Sequence, residues 1–420
     1  MLIRNDYRMK KSSLLWQVVF VVLLYFILFM PPMVVGSMRI YGYQLVRAVA
    51  FGYVVFNFST FKRFYQKFSR EINLMAIIVI FAVLRGMVEA NTQEILKALI
   101  GVFTLIIVPF FFIEFGRKIG VRTTNDMVWY LTIVATIATA ISMAAFFVPS
   151  VNEFIRERLV HYGDLGLQES YEQRGFGWGL YMTSQYGFVL AMLMIIGLIF
   201  LSNAKWFVFV IPFSFVACLI NARTGVVIGA VGLLIYFFYS GKWNYSLITL
   251  FFGLFAYFYL YEIIELMTGH NDAARQWILD GYYTVQDYSN GDYSSGVLGT
   301  LFDEIYFPDT VFAWIIGYGE SLFSSNSFKI HSDIGFINQL FYGGLIYCGM
   351  LYTLVGRICR RIRRYYLKIL SLFILSAFFI INFKGDFVFN TPSFGLTMLL
   401  YYTIFTFDIN IRNSVTRSDR

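Results

Sequence analysis

The sequence predicts an all-α, polytopic integral membrane protein of about twelve transmembrane helices, organised as a single domain over residues 1–420. Two observations predict this fold class. Hydrophobic residues make up 58% of the chain and charged residues only 14%, whereas soluble proteins carry about a quarter charged residues. Apolar runs of about 17–25 residues, the length that crosses a bilayer, also follow one another along almost the whole chain.

Twelve apolar segments are long enough to cross the hydrocarbon core of a membrane. We place them at about residues 14–32, 40–58, 72–88, 94–114, 127–148, 178–201, 205–221, 224–240, 244–264, 335–356, 366–383 and 392–408. Two long loops, 149–177 and 265–334, interrupt this series. Each loop opens with apolar residues at helical spacing, in VNEFIRERL and NDAARQWILDGYY, which predicts a short helix lying on the membrane surface.

The basic residues are distributed as in a membrane protein whose two termini are both cytoplasmic. The net charge is +8, and 22 of the 33 basic residues fall at the termini or in alternate connections. Cytoplasmic connections carry an excess of Lys and Arg, so these segments are assigned to the cytoplasm and both long loops to the outside. This rule explains the positive charge without nucleic-acid binding. The 22 residues are Arg4, Arg8, Lys10, Lys11, Lys62, Arg63, Lys67, Arg70, Arg117, Lys118, Arg122, Lys205, Lys242, Arg357, Arg360, Arg361, Arg363, Arg364, Lys368, Arg412, Arg417 and Arg420.

Residues 317–345, GYGESLFSSNSFKIHSDIGFINQLFYGGL, run from a polar outer loop into an apolar helix. Ionisable residues at the mouth of such a helix, here His331 and Asp333, indicate a place where a membrane enzyme meets a lipid-linked substrate. A neutral imidazole such as that of His331 is a natural proton acceptor. Ser332 and Asp333 have an alternative role, because Ser and Asp at a helix start cap free backbone amides.

Three arginines lie in or beside the outer loops. Arg223 stands in NARTG, in a very short connection, where its permanent charge either binds an anion or extends to the membrane surface. Arg275 shares the large loop with ten acidic residues and one lysine, and it either binds substrate or pairs with Asp272 or Asp280. Arg174 ends the first loop, directly before the next apolar segment.

Two further arginines, Arg47 and Arg85, face the outer halves of the second and third segments. Each either neutralises a diphosphate, extends to the membrane surface or pairs with Glu89 or Glu94. The histidines and cysteines show no ligand spacing, so the sequence predicts no metal site and no cofactor.

Taken in order, several of these elements resemble the O-antigen polymerase and ligase superfamily of bacterial envelope enzymes. They are ARTG with Arg223 at the start of an apolar segment, Arg275-Gln-Trp277 early in the large loop, Gly317-Tyr-Gly319, and His331 within HSDIGFINQLFYGG. The resemblance covers residues 170–356 in motif order and the whole chain in topology. Asp333 departs from the neutral residue near that position in the ligases and is more similar to the polymerases.

This resemblance implies a GT-C-like, metal-independent glycosyltransferase of the bacterial inner membrane that works at the periplasmic face on an undecaprenyl-diphosphate-linked glycan. Arg223 and Arg275 would hold the diphosphate, and His331 would lie near the acceptor hydroxyl. The full set of predicted catalytic and substrate-binding residues is His331, Asp333, Arg275, Arg223, Arg174, Trp277, Gly319, Arg47 and Arg85. Membrane lipids, a chain-length regulator and a flippase are the expected partners.

Polymerisation of O-antigen repeat units is the leading function, and ligation of the same glycan to the lipid A core is its close alternative. A flippase for lipid-linked oligosaccharides is an alternative from another class. Transporters tend to have interrupted spans and charges at the membrane midplane. The ionisable residues of this chain concentrate in the outer loops, which favours an enzyme.

Overall fold

The computed structural model describes residues 14–35, 38–88, 92–160, 176–179, 183–200, 205–240, 279, 283, 305–320, 322, 332–364, 367–385 and 391–418. Over these residues the protein is mostly helical, as the sequence predicts. The ninth predicted span, 244–264, and most of loop 265–334 lie outside the described residues, including the helix predicted near its start.

Helices lie at each predicted span within the described residues. They are α1 (Leu14–Phe29), α2 (Gly42–Phe56), α3 (Phe58–Val88), α4 (Thr92–Val102), α5 (Val108–Ile119), α6 (Thr124–Phe147), α7 (Pro149–Glu153), α8 (Thr183–Ile199), α9 (Ile211–Asn221), α10 (Arg223–Ser240), α11 (Val311–Ile316), α12 (Gly335–Arg364), α13 (Lys368–Lys384) and α14 (Pro392–Ser418). A π-helical segment, Phe103–Ile107, joins α4 to α5, and another, Phe154–Val160, extends α7. A short 3₁₀-helix, Lys205–Phe209, precedes α9.

Three of these helical stretches are long and apolar enough to cross a membrane: Phe58–Val88, Ala98–Ile119 and Thr124–Phe147. Large apolar side chains also cover the outside of the helices, among them Phe56, which is 89% exposed, and Phe209, which is 78% exposed. A soluble protein rarely exposes so much apolar surface, whereas lipid tails accommodate it. These features indicate a membrane protein.

Strands are also present, which the all-α prediction does not include. β1 (Pro32–Val35) pairs antiparallel with β2 (Met38–Tyr41), and Pro32 lies opposite Tyr41. Pro31 and Pro32 cannot continue α1 because proline lacks the backbone donor that a helix requires. The chain therefore leaves α1 as an extended hairpin and enters α2 at Gly42.

Two basic segments are helical, although the sequence predicts them to be loops. α3 begins at Phe58 rather than near residue 72, with a kink at Phe68, and α12 continues to Arg364. Apolar periodicity marks only the lipid-length part of each helix, so the basic extensions look like loops in sequence. In the first long loop, the wider π-helical turn leaves Phe154 55% exposed although Ile155 is buried, so the predicted apolar face is split.

Several helix termini lie together in two groups. We call one group the Arg223 end; it contains the start of α8, the end of α9, the starts of α10, α12 and α14, and the end of α13. We call the other the Glu71 end; it contains the first half of α3 and the last turns of α12.

Helix α8 lies at the centre of the structure. Every residue from Gln185 to Leu198 is buried, and the helix packs against α6, α9, α10, α13 and α14. A helix that is apolar all round is typical of such an enclosed position. The first residues of α8 therefore connect the surrounding helices at the Arg223 end.

Candidate functional site

Arg223 is the first residue of α10, and a one-residue turn positions it. Ala222 has an extended backbone with φ −158° and ψ 108°, and it separates α9 from α10. Its N–H donates to the carbonyl of Cys218 at 2.6 Å, and its own carbonyl accepts from Gly225 N–H at 2.8 Å. The Arg223 side chain is half-buried with its Nε inside the protein. A guanidinium beside the free amides of a helix start favours an anion.

Asn221 anchors this turn to the neighbouring helices. Its Nδ2 donates to the carbonyl of Phe176 and to that of Ala217, both at 2.8 Å, and contacts Ser142 Oγ at 3.3 Å. Ser142 in turn donates to the hydroxyl of Tyr186 at 2.9 Å. This buried network was not predicted from the sequence, although an Asn at the end of an apolar segment is the signal that points to it.

Consecutive residues of α8 link the Arg223 turn to α13 and α14. A Cβ added at Gly187 would lie 2.7 Å from the Cβ of Ala222, so the α9–α10 turn packs directly on α8. The ring of the next residue, Phe188, lies 3.9 Å from the place that a Cβ would occupy at Gly385, directly after α13. Gln185 Oε1 accepts a hydrogen bond from Ser393 at the start of α14, at 3.2 Å. The start of α8 thus lies between Arg223 and the end of α13.

The segment before α12 packs on this same end of α13. Gly335 touches the carbonyl of Gly385 so closely that no side chain fits between them. Asp333 Oδ2 accepts from Lys384 Nζ at 3.1 Å, and both side chains remain about a third exposed, at 34% and 29%. The structure therefore brings Asp333 to the end of the molecule that carries Arg223. Its catalytic role stays a prediction.

Ser332 is fully buried, and its side chain bonds within the segment that leads into α12. Its Oγ accepts from the backbone N–H of Ile334 at 3.2 Å, and its carbonyl accepts from Asn338 Nδ2 at 2.8 Å. Two polar residues on α12 and α13 continue this buried polar region, because Gln339 Nε2 donates to Asn382 Oδ1 at 2.6 Å. The start of α12 is therefore held firmly in place.

The Gly317-Tyr-Gly319 turn fills a break in α12. Gly344 interrupts the helix with φ +64° and ψ −166°, which frees carbonyl groups in the preceding turn. Tyr318 N–H donates to the carbonyl of Phe341 at 2.6 Å, and Gly319 N–H donates to that of Tyr342 at 2.9 Å. The turn thus supplies the donors that the broken helix lacks, which is how non-helical backbone is accommodated inside a membrane protein.

Two arginines predicted to bind substrate contact the protein itself. Arg85 is buried, and its Nη2 donates to the carbonyl of Gly317 at 2.8 Å, which ties α3 to the turn. Arg47 lies with its guanidinium 4.5 Å from the ring centre of Tyr43, a cation–π contact. Gly319 has φ +81° and serves the turn described above. Substrate binding by these residues stays a prediction.

Four predicted site residues, His331, Arg275, Trp277 and Arg174, lie outside the described residues. His331 directly precedes the buried Ser332 in sequence. Among the described residues no group of three or more His, Cys, Asp or Glu side chains is arranged to hold a metal ion.

The described part of the site therefore combines the Arg223 guanidinium, the start of α10 and the Asp333–Lys384 pair, with the start of α8 between them. Such an arrangement can hold an anionic group on one side and a proton-transfer group on the other. No protein-family model and no curated protein sequence matches the chain.

Proposed function

We propose that the protein is an O-antigen polymerase, which transfers a growing glycan from undecaprenyl diphosphate to the non-reducing end of a new lipid-linked repeat unit. The observation that carries this proposal is the position of Arg223 and Asp333 at one end of a membrane-type helix bundle, joined through the first turn of α8. These two positions lie 110 residues apart in the numbering, and they belong to two of the motifs that resemble the superfamily.

Each group has a definite chemical role in this proposal. Arg223 and Arg275 bind the diphosphate, because a guanidinium pairs with phosphate oxygens at two points and stabilises the charge of the leaving group. His331 accepts the proton from the attacking hydroxyl, and Asp333 is the second candidate for that role. Arg174 and Trp277 complete the substrate contacts. No metal ion takes part in this mechanism.

The proposed setting is the bacterial inner membrane, with both termini in the cytoplasm, the Arg223 end in the periplasm and a GT-C-like arrangement of about twelve helices. A chain-length regulator and a flippase are its proposed protein partners. The opposite orientation would place the segments rich in basic residues in the periplasm, against the positive-inside rule.

Reporter fusions test this topology. Fusions at Lys62, Lys118, Lys242 and Arg361 should report the cytoplasm, because they lie in or near basic segments. Fusions at Gly163 and Asn290 should report the periplasm. A cytoplasmic signal at Asn290 would contradict the proposed orientation of the large loop.

A flippase deserves comparison, because the break at Gly344 is the kind of interruption that transporters have. In transporters the unwound backbone lines the substrate site. Here the freed carbonyls of Phe341 and Tyr342 accept hydrogen bonds from the Gly317–Gly319 turn. The break is filled by the protein's own chain, so this observation favours the enzyme.

Deletion of the gene, followed by gel analysis of lipopolysaccharide, separates the three functions. A single repeat unit on the core indicates a polymerase, whereas bare core with long lipid-linked chains indicates a ligase. Repeat units that stay on the cytoplasmic side indicate a flippase. Either of the last two results would overturn the proposal.

Complementation of the deletion strain with variants then tests the site. Arg223→Ala and Arg275→Ala should each remove a charge-assisted contact of about 1.5–3 kcal/mol, which lowers the rate about ten- to a hundredfold and shortens the chains. Lysine at either position should restore activity only in part, because an ammonium lacks the two-point geometry. His331→Ala should stop chain extension at normal protein levels.

One control variant and one pair of ion-pair variants complete this experiment. Arg158→Ala, at an exposed position of the first long loop, should leave the chain-length ladder unchanged. Asp333→Asn and Lys384→Gln both remove the ion pair, so a loss confined to Asp333→Asn would assign the proton transfer to Asp333. A normal ladder in both His331→Ala and Arg275→Ala would show that the site assignment is wrong.

A further inference from the structure

A cleft of about 430 Å³ opens between α3 and α12 at the Glu71 end. It lies at the opposite end of α12 from the Arg223 end. Five arginines line it: Arg70 on α3 and Arg357, Arg360, Arg361 and Arg364 on α12. No carboxylate lines the cleft among the residues that the structure describes. Its lining therefore has the charge of a site for anions.

The sequence of α12 places its arginines together on the cleft. Positions 357, 360, 361 and 364 have the spacing of three, four and seven residues that shares one helix face. Gly356 adds open space beside them, because a Cβ built there meets no atom within 4 Å. Arg70 approaches from the facing helix α3. The cleft is thus formed by one face of α12, by Arg70 and by the absence of a side chain at Gly356.

A buried carboxylate fixes the orientation of two of these arginines. Glu71, whose side chain is 1% exposed, accepts from Arg357 Nε at 2.9 Å and from Arg361 Nη1 at 3.1 Å. Arg361 also donates to the hydroxyl of Tyr401 at 2.7 Å and lies 4.4 Å from the ring centre of Phe405. These guanidinium groups are therefore held in place before any ligand arrives, which lowers the entropy cost of binding.

Charge around the cleft is not balanced by the protein. The five guanidinium groups that line the cleft share one ion-pair partner among the described residues, the carboxylate of Glu71, which leaves a charge of +4 on this set of side chains. Like charges this close repel one another unless an anion joins them. Arginine binds phosphate, like carboxylate, through two parallel hydrogen bonds, and a phosphate group can accept from several guanidinium groups at once.

Both helices continue from the arginines into exposed apolar surface. On α12 the exposed residues next to Arg360 are Gly356, Thr353 and Gly349, and large apolar side chains begin at Ile346 and Leu345, which are 42% and 56% exposed. On α3 the exposed residue after Arg70 is the polar Asn73, and the apolar stripe begins at Ile77, which is 53% exposed, and continues to Ile80 and Leu84. A ligand with a phosphate headgroup and apolar tails fits both the basic cleft and the apolar surface, whereas a soluble anion fits only the basic cleft.

We propose that this cleft, lined by Arg70, Arg357, Arg360, Arg361 and Arg364, binds the phosphate-bearing headgroup of an anionic phospholipid, whose acyl chains follow the apolar stripes of α3 and α12. The site is separate from the Arg223 end and is independent of the activity proposed there. Bound lipid stabilises the contact between α3 and α12, because it binds only the folded protein.

Native mass spectrometry of the full chain in a neutral detergent tests the proposal. The probes are tetraoleoyl cardiolipin, dioleoyl phosphatidylglycerol, dioleoyl phosphatidylcholine and inorganic phosphate. We expect cardiolipin and phosphatidylglycerol to be retained and to raise the temperature of thermal unfolding, and we expect phosphatidylcholine to do neither. The Arg360→Gln/Arg364→Gln variant should bind cardiolipin about tenfold or more weakly, because each basic residue near a lipid headgroup contributes substantially to binding.

Two further variants distinguish lipid binding in the cleft from general attraction to the positive charge at this end of the protein. Gly356→Phe keeps every arginine but fills the open space, so it should also weaken cardiolipin binding about tenfold or more. Arg63→Gln/Arg117→Gln removes the same amount of charge outside the cleft, and it should leave cardiolipin binding unchanged. Equal binding of phosphatidylcholine, competition by millimolar inorganic phosphate, or an equal loss in the Arg63→Gln/Arg117→Gln variant would each overturn the proposal.

Discussion

Gly344→Ala should destabilise the protein by about 3 kcal/mol or more, the largest effect that we expect from a single methyl group. Gly344 has φ +64° with an extended ψ of −166°, a conformation that residues with a Cβ rarely adopt. A Cβ at this position would also lie 2.5 Å from the backbone nitrogen of Ile316 in α11. Backbone atoms cannot move aside as a flexible side chain does, so the break in α12 or the Gly317–Gly319 turn must shift.

Gly349→Ala is the matched control, because it introduces the same methyl group five residues further along α12. A Cβ at Gly349 meets no atom within 4 Å. Alanine should therefore leave stability unchanged or raise it by up to about 1 kcal/mol, through its better helix propensity. Unfolding in SDS titrations measures both variants, and equal midpoints for Gly344→Ala and Gly349→Ala would show that the break at Gly344 is not required.

Glu71→Leu should destabilise the protein by about 2–3 kcal/mol, because the variant leaves Arg357 and Arg361 beside a buried apolar side chain. Loss of one partner from a fully buried ion pair costs about 3–5 kcal/mol. The smaller value is expected because the side chains of Arg357 and Arg361 are 40% and 30% exposed and can turn towards water. The same SDS titration measures the change.

Glu114→Leu provides the comparison, since Glu114 pairs with Arg117 one helical turn away and Arg117 is 41% exposed. Ion pairs of this kind contribute about 0.5 kcal/mol or less. If Glu71→Leu lowers the stability no more than Glu114→Leu does, the result would contradict a structural role for the Glu71 ion pairs. Glu71→Gln should give an intermediate result, because the amide oxygen can still accept from one of the two arginines, whereas the amide nitrogen can only donate.

Apolar run length predicts where the helices lie, because a bilayer requires segments of nearly constant length. It does not predict where they end, since the basic extensions of α3 and α12 continue the helix beyond the apolar part. The β1–β2 hairpin is missed for a related reason, because four-residue strands are too short to show a periodicity of their own.

The candidate site was predictable only in part. The motif order that brings Arg223 and Asp333 to one end follows from topology, which the basic residues indicate. The pairing of Asp333 with Lys384, 51 residues later, depends on how α12 packs against α13, and apolar patterns carry no such information. The Gly317–Gly319 turn likewise has a packing role that is visible only beside the break at Gly344.

The enclosure of α8 has a consequence for the timing of synthesis. The hydrogen bond between Gln185 and Ser393 joins residues 208 positions apart, and α10, α13 and α14 also cover α8 from later parts of the chain. Translation at about 5–20 residues per second makes the ribosome take about 10–40 s to supply this cover. During that interval the polar start of α8 would face lipid at a substantial cost unless α6 and the insertion machinery shelter it. The centre of this protein is therefore made before three of the helices that cover it, and it is enclosed only when the last of them, α14, arrives.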